Sequence, residues 1–165
     1  MPRPLARQQA LVLLAEHPAR IAGAVAGVPA ARLTRVAMLG EWTAVDVLAH
    51  LRCCADAGGG MIERLLGAPG GRIPGIDQRT AMETSPYRRL GFAASLRRYH
   101  EQRDALVQRL GRLDDRDWTV SARVFGTGAT RERSVMDYVT WLARHEEVHI
   151  PQFDRLGRRL RRAHA

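Results

Sequence analysis

Thr43-Ala44-Val45-Asp46-Val47-Leu48-Ala49-His50-Leu51 decides the fold class. Thr43 with Asp46 three residues on is a capping box using the shorter acid, and Trp42 before it is placed as a hydrophobic staple. Apolar residues at helical spacing follow the cap. A helix therefore starts at Thr43, runs to about Leu66 and ends at Gly67, with Gly58-Gly59-Gly60 weakening its middle. Upstream, Leu11, Leu14, Ile21, Val25 and Val28 keep the helical period over Leu5 to Val28, where Pro18 kinks or restarts the helix. Downstream, Phe92, Leu96, Tyr99, Leu106 and Leu110 mark a third helix over Gly91 to Leu113. Val135, Val139, Leu142, Ile150, Phe153, Leu156 and Leu160 mark a fourth from near Ser134.

The connections differ in character. Pro29 to Gly40 is a loop with short helical character around Ala30 to Leu33. Gly67 to Pro86 is a Gly- and Pro-rich crossover of about twenty residues, a length that in compact domains is usually functional or disordered. Asp114 to Thr130 is a second irregular connection, and its Val120 to Phe125 run suits a short extended piece. Four long helices with a long crossover predict an all-α four-helix bundle. No alternating set of strands suffices for a sheet, and no repeat is visible.

The 165 residues bound the chain to one domain, 1–165, large enough to bury a core without disulfides. Basic residues number 26 against 17 acidic, for a net charge of +9, and every basic residue is arginine. Such a charge suggests a polyanion partner. The absence of lysine, a usual phosphate contact, argues that composition rather than a ligand chose the cation. Several arginines also sit beside acids, as in Arg131-Glu132-Arg133. Nucleic acid is therefore not the expected main partner. No apolar run approaches the roughly 18–20 residues of a membrane span, and Met1-Pro2-Arg3-Pro4 lacks a signal-peptide core. A cytoplasmic protein is expected. Cys53 and Cys54 are adjacent and without a second pair, which excludes a zinc ribbon and suits small core residues.

The chemistry concentrates in the histidines, of which there are 6. In Arg144-His145-Glu146-Glu147-Val148-His149 the i, i+4 spacing puts both imidazoles on one helix face, a clamp for a divalent cation such as zinc. The stretch also satisfies H-E-x-x-H, but the residues C-terminal to it argue against a zincin protease. Gln152 and Arg155 stand where the glycine and histidine of that motif would be, and Asp154 is the sole downstream carboxylate side chain. A third ligand must come from upstream. His50, in an apolar setting two turns into the second helix, is either that ligand or a satisfied core histidine. His17, His100 and His164 carry no partner spacing. Pro151 removes an amide just after the clamp and should kink the fourth helix there.

Gly40-Glu41-Trp42-Thr43, Val47-Leu48-Ala49-His50-Leu51 and His145-Glu146-Glu147-Val148-His149 with Gln152, in that order, resemble the DinB-like (DinB/YfiT) family of metal-dependent enzymes. Gly75-Ile76-Asp77-Gln78 is similar to a Tyr-Asp-Gln stretch in part of the family. The resemblance implies a four-helix bundle with an up-down-down-up path and a long crossover between helices 2 and 3. It implies that His50, His145 and His149 bind one divalent metal, zinc or nickel, as a three-histidine site with open positions for a small-molecule substrate. Some relatives are thiol-dependent transferases or isomerases using mycothiol or bacillithiol. A low-molecular-weight thiol cosubstrate, or an anionic substrate, is what the resemblance implies. A homodimer is expected by analogy. Glu146 is a candidate base or partner of His50, or else a surface acid. Asp46 is explained by capping. Asp77 and Tyr87 are candidates to line the pocket, and Arg52 and Arg144 to hold an anionic cosubstrate. The competing readings are a non-enzymatic stress-associated bundle and a basic nucleic-acid binder.

Overall fold

In the computed structural model, described over residues 5–35, 42–77, 85–126 and 128–162, helix dominates. The helices are α1 (Arg7–Ala24), the single turn α2 (Ala30–Leu33), α3 (Ala44–Gly67), α4 (Phe92–Gly111) and α5 (Val135–Arg162). Thr43 Oγ1 accepts from the Asp46 amide at 3.0 Å and Asp46 Oδ2 accepts from the Thr43 amide at 3.1 Å, so the box read from the sequence starts α3. Ser134 and Asp137 make the same reciprocal pair at the start of α5. α1 runs through Pro18 without restarting, and α5 runs through Pro151 as one helix.

α1 packs against α4 and α5, and α3 packs against the same two helices. The four long helices thus form a bundle in which the pairs α1/α3 and α4/α5 lie across its diagonals. One expectation is overturned. The connections build a three-stranded sheet in the order β1 (Arg72–Pro74), β2 (Ser121–Phe125), β3 (Arg131–Ser134). β1 pairs in parallel with β2 through Ile73↔Val124, and β2 pairs antiparallel with β3 through Val124↔Arg131 and Ala122↔Arg133. The strands are three to five residues long and arginine-rich, with Ile73, Ala122 and Val124 as their buried side chains. Such strands carry too few apolar alternations to register as a pattern, and the β1–β2 partnership is non-local.

The apolar core falls into two clusters. One gathers Ile21, Leu48, Leu51, Phe92, Phe153 and Leu156; the other gathers Leu14, Met61, Ile62, Leu65, Leu110, Val139 and Leu142. Along each of α1, α4 and α5 the change from one cluster to the other is marked by a buried polar residue: His17, Arg103 and Glu146, all with no exposed surface. Glu146 Oε2 lies 2.7 Å from His17 Nδ1, and Glu146 Oε1 pairs with Arg103 Nη2. His17 Nε2 lies 2.9 Å from Glu147 Oε1, which also meets Arg20. The Arg103 guanidinium sits 5.3 Å from the Tyr99 ring. A charged layer therefore crosses the middle of the bundle and ties α5 to α1 and α4.

Two glycines set helix approach. A Cβ on Gly58 would come within 2.7 Å of the buried Leu142 side chain, and one on Gly157 would strike the Ala24 carbonyl oxygen. Gly59 has nothing within 4 Å. Gly59→Ala should therefore stabilise the fold by roughly 0.4–1 kcal/mol, whereas Gly58→Ala should cost about 1–3 kcal/mol, both by chemical denaturation. Equal effects at the two positions would contradict this packing. In the charged layer, Glu146→Gln or Arg103→Met alone should destabilise by about 3–5 kcal/mol, since each strands a buried charge. Replacing both by apolar residues of similar volume should recover much of that loss, and additive losses in the double variant would be the contrary result.

Candidate metal centre

α3 and α5 each bring a polar stripe to one groove. His50 comes from α3, and His145 and His149 come from successive turns of α5. The three rings converge. Their centroids are 5.0 Å apart for His50 and His145, 5.1 Å for His50 and His149, and 4.9 Å for His145 and His149. His50 Nε2 and His145 Nε2 are 3.1 Å apart, and one nitrogen from each of the three rings lies within 4.8 Å of the others. A divalent ion at roughly 2.0–2.1 Å from each nitrogen sets its ligand atoms at this kind of separation, so the residues fit such an ion. Among the described residues this is the one His/Cys/Asp/Glu cluster with metal-ligand spacing.

Electrostatics favour the ligand form. Burial, then the neighbouring His145 and His149, pushes the His50 pKa down to about 4. Burial and His149 lower that of His145 as well. Both rings are neutral near pH 7, with a lone pair available. The Nδ1 of His149 lies 2.9 Å from Gln152 Oε1. Donation of the Nδ1 proton to that amide oxygen fixes the tautomer and leaves Nε2 to face the cluster. This gives Gln152, three residues beyond the clamp, a physical role.

The surroundings are aromatic and thiol-bearing. Trp141 stacks on His145 at 5.3 Å and 25°, and Trp42 meets His50 edge-on at 5.4 Å. Cys54 Sγ lies 3.7 Å from His50 Nε2. Burial, with Cys53 and Glu146 adding to it, pushes the Cys54 thiol up to about 12, so without a metal it stays protonated. Both cysteines are buried and unpaired, as small core residues.

The other sequence candidates distribute unevenly. Glu146 is not a surface acid: it is fully buried, and its carboxylate is engaged by His17 and Arg103. His17, which lacked any partner by spacing, is thus a central member of the charged layer. Asp46 caps α3 and pairs with Arg88 at 3.1 Å. Asp77 lines a cleft of about 670 Å³ that Trp141, stacked on His145, also lines. Tyr87 instead stacks under the Arg52 guanidinium at 4.0 Å and donates its hydroxyl to Asp56. Arg52 is buried with Nε on Gln102 and Nη1 on Ser95, committed to the α3–α4 interface rather than to the groove. His100 sits on the surface near Asp104. Gly40, Glu41, Gln78 and His164 lie outside the described residues. Sequence reasoning missed Trp141, Tyr138, Arg131 and Arg133 around the groove. The signal was present for the first two, one and two turns before His145 on the same helix face.

The sequence pattern of the DinB superfamily matches residues 13–153. No curated protein matches the chain. Among solved structures, YfiT from Bacillus subtilis, described as "a probable metal-dependent hydrolase with an unusual four-helix bundle topology", shares the fold with a TM-score of 0.79 at 19% identity, over 97% of this chain and 93% of that one. Bundle, histidine cluster and family pattern coincide over the same stretch, and the chain belongs to the DinB superfamily.

Proposed function

We propose that the chain is a divalent-metal-dependent enzyme acting on a small molecule, with His50, His145 and His149 as the protein ligands. The observation that carries this reading is the convergence of three imidazoles from two helices in a half-buried groove. A cluster kept only for packing would not need three ring nitrogens within 4.8 Å. Imidazole donors suit zinc or nickel. Three protein ligands leave a coordination position open, and an ion held there supplies Lewis-acid activation of a small nucleophile.

The chain's own residues hold and shield this centre. Gln152 orients His149, Trp42 meets the His50 ring edge-on, and Trp141 covers a face of the His145 ring. We assign Glu146 to positioning: through Arg103 and His17 it holds the turn of α5 that carries the clamp, rather than moving a proton. The order in which the two apolar clusters fall along α1, α3, α4 and α5 supports an up-down-down-up path within a single domain, 1–165. The description of YfiT supports hydrolysis as the reaction class. Transfer of a small thiol of the mycothiol or bacillithiol kind is a second reading, favoured by Arg131 and Arg133 beside the groove. A basic nucleic-acid surface is less well supported, because Arg7, Arg20, Arg88, Arg98, Arg103 and Arg109 are each paired with a carboxylate. No described helix is long and apolar enough to cross a membrane.

Protein purified without chelators should carry about one equivalent of zinc or nickel by elemental analysis, and His50→Ala or His145→Ala should abolish it. Wild type without stoichiometric metal, or variants that keep it, would contradict the assignment. Gln152→Leu should weaken metal affinity about 10–100-fold in a chelator competition while leaving the stoichiometry at saturation unchanged.

A further inference from the structure

A cleft of about 670 Å³ lies between α3, α5 and the small sheet. Met61 and Ile76 form apolar walls, and Tyr138 and Trp141 form aromatic ones. Trp141 also stacks on His145, so the cleft and the metal centre share a wall. Arg131 and Arg133 line the cleft from β3. Their i, i+2 spacing places both on one face of the strand, beside Val124 and Ala122 of β2 in the register. Glu132 lies on the other face and accepts from Ser121 Oγ at 2.6 Å.

The charged residues that line the cleft are two arginines and two aspartates, and they differ in how they are engaged. Asp137 lines it too, but its carboxylate accepts from the Ser134 amide as the cap of α5. Asp77 also reaches the cleft and has an interaction of its own. Neither Arg131 nor Arg133 makes a side-chain ion pair or hydrogen bond among the described residues. They contrast with the arginines elsewhere that are matched to carboxylates. Two unmatched guanidinium groups beside aromatic walls form a recognition site for a flat or apolar body bearing a carboxylate.

We infer that this cleft is a substrate subsite, in which Arg131 and Arg133 bind the carboxylate of a small aromatic or apolar acid whose other end reaches past Trp141 to the three histidines. The inference deepens the metal-enzyme reading and rests on it for the reactive end of the ligand. The carboxylate end rests on the cleft alone. The sequence-based expectation put an anion on Arg52 and Arg144; Arg52 is committed to the α3–α4 interface, and Arg131 and Arg133 line the cleft instead.

The test uses 2-naphthoate as probe, with 2-naphthylmethanol as its neutral counterpart, titrated calorimetrically into the full chain with and without zinc. Saturable naphthoate binding is expected, at least tenfold tighter than the alcohol and weakened by salt. Arg131→Gln and Arg133→Gln should each weaken it about tenfold and together abolish it, with unchanged thermal unfolding because neither residue is buried. Zinc-free wild type should bind naphthoate as well. Failure of the metal centre would thus show as lost zinc with retained naphthoate binding. Absence of naphthoate binding, equal affinity for the alcohol, or binding insensitive to both arginine substitutions would overturn the cleft assignment. So would binding that vanishes only with His50→Ala or zinc removal, which would place the carboxylate on the metal.

Discussion

A single buried carboxylate organises this bundle. Glu146 sits where the two halves of the apolar core meet, and it is held from α1 by His17 at 2.7 Å and from α4 by the Arg103 ion pair. A charge in that position is costly unless matched, so the three helices must keep the rotation and height at which the partners meet. Glu146 lies between His145 and His149 in sequence, about 100° around the helix from the former. Fixing Glu146 inward therefore turns the clamp toward α3. The histidine cluster inherits its geometry from a charge network on the neighbouring side of the same helix turn.

The remaining side of the groove depends on small residues. Gly58 lets α3 approach Leu142 of α5, and the modest volume of Cys54 leaves room beneath the His50 ring. The result is a half-buried site where desolvation and mutual repulsion keep His50 and His145 neutral. Neutral imidazoles in a partly dry groove are good ligands for a divalent ion and poor ion-pair partners for an acid. Trp141, stacked on His145, also lines the cleft that Arg131 and Arg133 face.

Much of this was legible in the sequence because it is local. The capping pair Thr43/Asp46, the apolar period of each long helix, the helical turn at Ala30–Leu33 and the His145/His149 spacing each depend on residues within one or two turns. The Thr43–Leu51 and His145–His149 motifs together brought His50 into the set although no local rule connects α3 to α5. What stayed hidden was non-local. His17 meets Glu146 across 129 positions, and β1 finds β2 through strands too short to show alternation. Arg103 looked like one arginine among many, since only its burial distinguishes it from those on the surface. The net charge of +9 was the most visible feature of the sequence and said least about the site, because several arginines are absorbed in ion pairs.

The central claim is that three imidazoles, and no thiolate, hold one divalent ion. X-ray absorption at the metal edge of zinc-loaded protein tests it most directly. The account predicts a first shell of nitrogen and oxygen at about 2.0–2.1 Å, with outer-shell scattering from three imidazole rings and no sulfur at about 2.3 Å. A first shell containing sulfur, which would implicate Cys54, or one without imidazole scattering, would contradict it.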